Sequence, residues 1–552
     1  MQQASVQRRA PAVLVAAVLA CGAWALFTPA PPRMAAPKAN GVVPEILPTN
    51  AHIAVGTPIT IRAKHADRTW VGIGDGGSMN RHGDVFSLRA RPDHRASEAA
   101  LAIPTAMQWR HPLFDLPAAM VVRAAEAEAN GAPGPAAMRT YLFADHGALP
   151  VISISTANEN LFNDESGLAV PGNWTMHPDE GVLTTYLMDI RWWKYPGNYH
   201  GRGSDWERPA RMQLIGADGE EILQTDVVLR MNGQMTRGFP QHAYRLLFAD
   251  PLAVAPFADG DGSGARALVL RAAGNDQVKA MLRDAYQHGL CAGLPFETSK
   301  ARTCVVYFNG AYQGVYHLRQ RMDEEELARR YGIKKKRITL LEDASELCYG
   351  DSAEVKRFNQ MMARTEKWDG VDPAWIDTLN ARMDVDGLLT YMASQMLLGN
   401  MDWPKQNVKY WRYTSKPKKN APLDGRWYFI MGDSDLSFGA NAPASADMFA
   451  KVKAAGVPVS RLFMAMMRSP ELKSRFIANA RELLDGPLST ERFLAELDRF
   501  AQHMDSEMER HTARWRKPLD KATWLLEVEA MRHFARERGG HVREQLNAFE
   551  AE

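Results

Sequence analysis

Two neighbouring stretches, GNMDWPKQNVKYW at 399–411 and RWYFIMGDSDLSFG at 426–439, decide how this chain is read. Together they carry four polar side chains with hard oxygen atoms: Asp402, Asn407, Asp433 and Asp435. Asp402 and Asn407 stand five positions apart in a turn-rich segment, and the apolar run Trp427 to Met431 reads as a buried strand that delivers Asp433 and Asp435 just ahead of Phe438-Gly439. Carboxylate and amide oxygens suit hard divalent cations, and a further carboxylate can accept a hydroxyl proton. That combination is what phosphoryl transfer requires. The bland alternative is a polar turn at Asp402-Trp403-Pro404 that caps a helix. The second acidic segment downstream weighs against it.

Working outward, 552 residues suggest two or three domains, and 46% hydrophobic with 24% charged content is ordinary for a folded body. A formal charge of +2 gives no reason to expect nucleic acid or an anionic membrane as the main partner. At the N-terminus Arg8 and Arg9 precede an apolar stretch from Pro11 to Phe27, the layout of a signal peptide or signal anchor over 1–30. Export to the periplasm or cell surface is expected, with a membrane anchor at the N-terminus left open. Cys291, Cys304 and Cys348 remain in the body; their odd number and the lack of a CxxC argue against a zinc site. One bridge, such as Cys291 to Cys304, and buried free thiols are both compatible with the sequence.

The expected fold is α+β. A Pro- and Ala-rich linker runs over 31–48, and short β-type runs over 49–148 suggest a small immunoglobulin-like β-sandwich. Strands dominate 149–345, with hairpin turns at Asn232-Gly233 and Asn309-Gly310 and one helix over about 277–289. From 346 to 552 the periodicity is helical: 386–399 is largely apolar, Ser489 or Thr490 is an N-cap, and Phe493, Leu497, Phe500 and Met504 form a core stripe, as do Trp524, Val528, Met531 and Ala535. Gly72 to Gly77 spells GxGxxG but opens no helix, and Asp259 to Gly264 begins like a calcium loop but has Leu270 where its closing Glu belongs. No HExxH or GxSxG occurs.

A β-rich part followed by a helical one is the order of a protein kinase, and the Asp402/Asn407 interval resembles that of a kinase catalytic loop, although Asn400-Met401 replaces the usual His-Arg. More specifically, the chain resembles the spore-coat CotH kinase-like proteins, in the form with a β-sandwich before the kinase core. The likeness rests on LPVISIS at 149–155, NLFNDESGLAVPGN at 160–173, RGSDWERPA at 202–210, RMNGQMTRGFPQHAYRLLF at 230–248, VVYFNGAYQGVYHLRQRMDEEEL at 305–327, LLGNMDWPKQNVKYW at 397–411 and MGDSDLSFG at 431–439. It implies an atypical two-lobed kinase fold, with a β-rich small lobe over 149–345 and a helical large lobe over 346–552. It also implies ATP with Mg2+ or Mn2+ as cofactors, Asp402 as base, Asn407, Asp433 and Asp435 as metal ligands, and an exported or envelope protein as substrate.

The family's phosphate-binding Lys falls here at His242 and its partner Glu at Gln320. A neutral pair positions phosphates less well than a charged one, so Arg237 in the preceding turn is the candidate cation. Arg283-Asp284 also resembles a family position and is expected to form a structural salt bridge. The alternative to an active kinase is a pseudokinase or surface-binding module.

Overall fold

The computed structural model describes residues 43–552 apart from 66–67, 77–78, 83–87 and 174–190. The stretch expected to be a leader, and the expected linker up to residue 42, lie outside the described residues. The class is α+β, with a β-rich N-terminal part followed by a mainly helical one.

Two small sheets come first. One pairs β1 (Glu45–Leu47), β2 (Pro58–Arg62) and β5 (Leu88–Arg89) in that order; the other has the order β4 (Asn80–His82), β3 (Thr69–Ile73), β6 (Met120–Ala127), β7 (Pro133–Tyr141). Ile46, Ile59, Val71, Met120, Val122 and Tyr141 form their shared core. The first strand therefore begins inside the stretch read as linker.

A closed seven-stranded barrel follows. Its strands are β8 (Val151–Ser155), β9 (Arg208–Ile215), β10 (Glu221–Met231), β11 (Tyr244–Leu247), β12 (Ala267–Arg271), β13 (Ala301–Phe308) and β14 (Ala311–Gln320). They run in the order β10-β11-β12-β14-β13-β8-β9, and all neighbours are antiparallel except β8 and β13. Closure leaves no edge to protect. Asn309 (φ 51°) and Gly310 (φ 82°) make the tight turn between β13 and β14, where positive φ at both positions suits the Asn-Gly pair.

The helix expected over 277–289 begins later, at Arg283–Leu290. The buried Asp276 carboxylate accepts hydrogen bonds from the backbone of Ala280 (3.3 Å) and Arg283 (2.9 Å). That wraps the preceding residues into a short 3-10 turn, with Met281 left-handed and Val278 turned outward. A side-chain acceptor thus outcompetes apolar periodicity.

The C-terminal part is less purely helical than its sequence suggests. β15 (Ile338–Glu342), β16 (Glu346–Tyr349), β17 (Val408–Tyr413) and β18 (Trp427–Met431) form a sheet ordered β16-β15-β17-β18. β15, expected with the small lobe, thus belongs to this sheet. Its neighbour, the helix Val385–Leu397, is buried on every face except at Asp386, as an all-round apolar helix must be. The helices Thr490–Trp515 and Lys521–Ala551 present the expected stripes, with Ser489 as the N-cap. Cys291 and Cys304 are separately buried free thiols and Cys348 is exposed, so the disulfide alternative is not realised. No described helix is long and apolar enough to cross a membrane.

Arg538, 1% exposed, ties these pieces together. Its guanidinium donates to the carbonyls of Met396 (2.6 Å) and Leu397 (3.1 Å) at the end of the buried helix, and to Ala444 (2.6 Å) and Ala446 (2.9 Å) in a neighbouring loop. Burial lowers its pKa to about 10, so it remains charged at neutral pH. Arg538→Met leaves these carbonyls without donors, and a loss of about 3 kcal/mol is expected in urea unfolding. A loss under about 1 kcal/mol would show that the carbonyls find water instead.

Candidate active site

The site assembles where the loop after the helix Val385–Leu397 meets the end of β18. All five residues of β18 are buried, which fixes the point at which Gly432-Asp433-Ser434-Asp435 emerges. Gly432 lies so close to Asn407 that a Cβ would overlap the Asn407 carbonyl oxygen, so the two segments touch only because this residue has no side chain. Asn407 itself is left-handed (φ 66°), a conformation that Asn tolerates. The Asp343 carboxylate accepts from the next backbone N–H, that of Val408 (3.2 Å), and pins the turn.

Within this frame the Asn407 side-chain amide donates to Asp402 Oδ2 at 2.9 Å. Asn400, buried, accepts from the backbone N–H groups of Asp402 (3.2 Å) and Trp403 (3.3 Å) and donates to the carbonyl of Asp433 at 3.4 Å. One loop and one strand end are thereby held in register. The Asp402 carboxyl is raised above the usual carboxylate range, first by burial and then by the negative charge of Asp433; the Asn407 hydrogen bond and the Lys451 charge pull it back in part. Lys451 donates to the Met401 carbonyl at 2.8 Å.

Asp433 and Asp435 share a guanidinium. Arg271, the last residue of β12, approaches Asp433 Oδ2 at 2.6 Å and Asp435 Oδ2 at 3.3 Å. Burial works against charge at both. At Asp433 the Arg271 charge prevails and the pKa falls; at Asp435 burial and the Asp433 charge win and it rises. Of the two, Asp433 keeps the charge. Asp435 is also capped by the backbone N–H of Asn275 (2.6 Å) and its side-chain amide (3.2 Å), an approach that requires Gly274 (φ 62°), where a Cβ would collide with the carboxylate.

Asp284 completes the network. Its carboxylate accepts from the backbone N–H (3.1 Å) and hydroxyl (3.2 Å) of Ser434, pairs with Arg271 Nε at 3.2 Å, and forms an ion pair with Arg319 of β14. The Arg283-Asp284 pairing expected from the sequence is not made. Arg283 instead pairs with buried Asp276 and, at 3.2 Å, with Glu527.

The three barrel residues singled out as phosphate contacts lie elsewhere. Arg237 is spent on backbone carbonyls, including Gly233 (2.7 Å), Gly201 (2.7 Å) and Met231 (3.0 Å). His242 is 2% exposed, with Nε2 at 3.0 Å from the Thr105 carbonyl, and burial lowers its pKa to about 4. It precedes β11 rather than lying within it, so strand alternation does not set its direction. Gln320 accepts from Lys300 N–H (3.0 Å) and Arg330 (3.0 Å) and donates to Asp261 (3.0 Å). On β14 the odd positions face the helix Arg283–Leu290: His317 sits against the Met281 carbonyl at 2.7 Å and Arg319 against Asp284. The register therefore presents Arg319 where Gln320 was expected. Arg271 was overlooked altogether; the available signal was a cation ending the apolar run Leu268-Val269-Leu270.

Asn407, Asp433 and Asp435 can offer side-chain oxygens, the ligand type that suits Mg2+ or Mn2+. Among the described residues no three His, Cys, Asp or Glu side chains are gathered to hold an ion by themselves.

No curated protein matches the chain. The family model described as CotH kinase protein matches residues 229–542, a span that includes Arg271, Asp284, Asp402, Asn407, Asp433 and Asp435. As that span is more than half of the sequence, the chain belongs to the CotH kinase family.

Proposed function

We propose that the chain is an exported atypical protein kinase that transfers the γ-phosphoryl group of metal-bound ATP to a Ser or Thr hydroxyl of a secreted or envelope protein. In this reading the barrel is the small lobe of a two-lobed kinase fold, and the helices with the β15–β18 sheet are the large lobe. The observation that carries it is the contact of Asp402 with Asn407 in a loop held against Asp433 by Gly432. The Arg8-Arg9 pair before an apolar stretch supports export.

Asn407 and Asp433 would hold the ion, with Asp435 behind them, and the ion when bound supplies positive charge to the phosphate oxygens. Asp402 takes the proton of the acceptor hydroxyl. The new O–P bond forms as the bond from the γ-phosphorus to the β–γ bridging oxygen breaks, and ADP leaves with that electron pair. The hydrogen bond from Asn407 orients the Asp402 carboxylate and leaves its Oδ1 for the proton. A base of raised pKa is better matched to this task near neutral pH than an exposed aspartate.

A second reading, a pseudokinase or surface-binding scaffold, is favoured by one feature: Arg237, His242 and Gln320 are all engaged away from the cleft.

Phosphotransfer from radiolabelled ATP by the purified chain is expected to fall about 100-fold or more in Asp402→Asn. Near wild-type turnover in that variant would remove the base assignment. Because Asp402 must be ionised to act and its pKa is raised, activity should rise with pH through a limb lying above the range of an ordinary aspartate. A limb at ordinary aspartate pH would contradict the environment described. Thermal melting separates the two readings. For the kinase, ATP at about 100 times its Kd with Mg2+ stabilises by about 2.7 kcal/mol and ATP with EDTA much less, whereas the scaffold shows no response to either.

A further inference from the structure

The barrel has to supply a positive contact to the nucleotide if the proposed function holds, and the residues first considered for it are engaged elsewhere. We infer that Arg271 is the phosphate-binding residue, oriented by Asp284 and backed by Arg319; the inference rests on the proposed kinase reading and deepens it.

Arg271 crosses from the end of β12 to the acidic segment after β18. Nη2 donates to Asp433 and Asp435 and Nε lies 3.2 Å from Asp284 Oδ2 as an ion pair without a hydrogen bond, while among the described residues no partner stands against Nη1. Its side chain is 19% exposed, against 6% for Arg319. Arg319 is further committed to Ser299, through its hydroxyl at 3.3 Å and its carbonyl at 3.5 Å. Both guanidinium groups press on the same oxygen, Asp284 Oδ2, so the anchored Arg319 repels Arg271 toward the cleft. The other nearby cations are otherwise occupied: Lys279 donates to the Ala440 carbonyl, and Lys451 lies beside Asp402 on the far side of the loop.

A nucleotide arrives with a divalent cation, which seeks carboxylate oxygen. The Asp433 oxygen that now holds Arg271 is a natural ligand for such an ion. An ion there competes with the guanidinium, and the planar fork of Arg271 then turns to phosphate oxygens, for which its two-donor geometry is suited. Arg271 thus serves as counter-ion to Asp433 before the nucleotide arrives and as phosphate ligand afterwards.

The test measures three affinities in the full chain and in Arg271→Gln: ATP with Mg2+, adenosine, and Mn2+ alone by electron paramagnetic resonance. Loss of about 10- to 100-fold in ATP affinity is expected, with adenosine unchanged and Mn2+ bound more tightly because its competitor is gone. A merely structural bridge would weaken ATP and adenosine together, and that outcome overturns the inference. Unchanged ATP affinity also overturns it while leaving the kinase reading intact. An unsubstituted protein that binds neither ATP nor Mn2+ overturns both. Should melting show that Arg271→Gln does not fold, Arg271→Lys keeps the charge but loses the fork. It should bind ATP several-fold more weakly than wild type with adenosine unaffected, and equal affinity for ATP rejects the role.

Discussion

One buried carboxylate, Asp284, holds the acidic cluster in shape. It stands on a barrel-side helix, accepts two hydrogen bonds from Ser434, and pairs with arginines from β12 and β14. Three separate pieces of chain therefore have their positions set by a single group. A lone carboxylate at this depth would be costly, and each arginine would be costly without it. The network is stable only when complete. That completeness places Asp433 beside Arg271 on one side and the Asp402 loop on the other.

Around this point the fold divides the work between polar and apolar contacts. The buried helix Val385–Leu397 and the strand β18 deliver the two polar segments from an apolar core. Polar side chains then set the final geometry: Asn400 across the loop, Asp343 beneath Val408, and Arg538 at the end of the helix. The core brings the segments near, and hydrogen bonds to backbone groups determine which side chain points into the cleft.

Much of this was legible in the sequence, for identifiable reasons. The α+β class and the long C-terminal helices follow from apolar periodicity and caps, which are local properties. The spacing of Asp402, Asn407, Asp433 and Asp435 named residues that the structure gathers, because a turn and a strand end are also local. The barrel's side of the cleft was not legible. Whether Gln320 or Arg319 faces the helix depends on register across two strands, and His242 is buried by Thr105, which is far away in sequence. The late start of the helix at Arg283 is a related case, since the Asp276 carboxylate overrides a periodic apolar pattern. Arg271 could be recognised only once β12 had been placed opposite β18.

The two glycines that line this cleft leave it almost no slack. At 432 and at 274 the space for a side chain is already filled by Asn407 and Asp435. Enlarging either position by a single methyl group would wedge apart the segments it separates, at 432 against the Asn407 backbone and at 274 against the Asp435 carboxylate itself. Sequence variation around this cluster would therefore meet its narrowest tolerance at two residues that contribute no side chain to it.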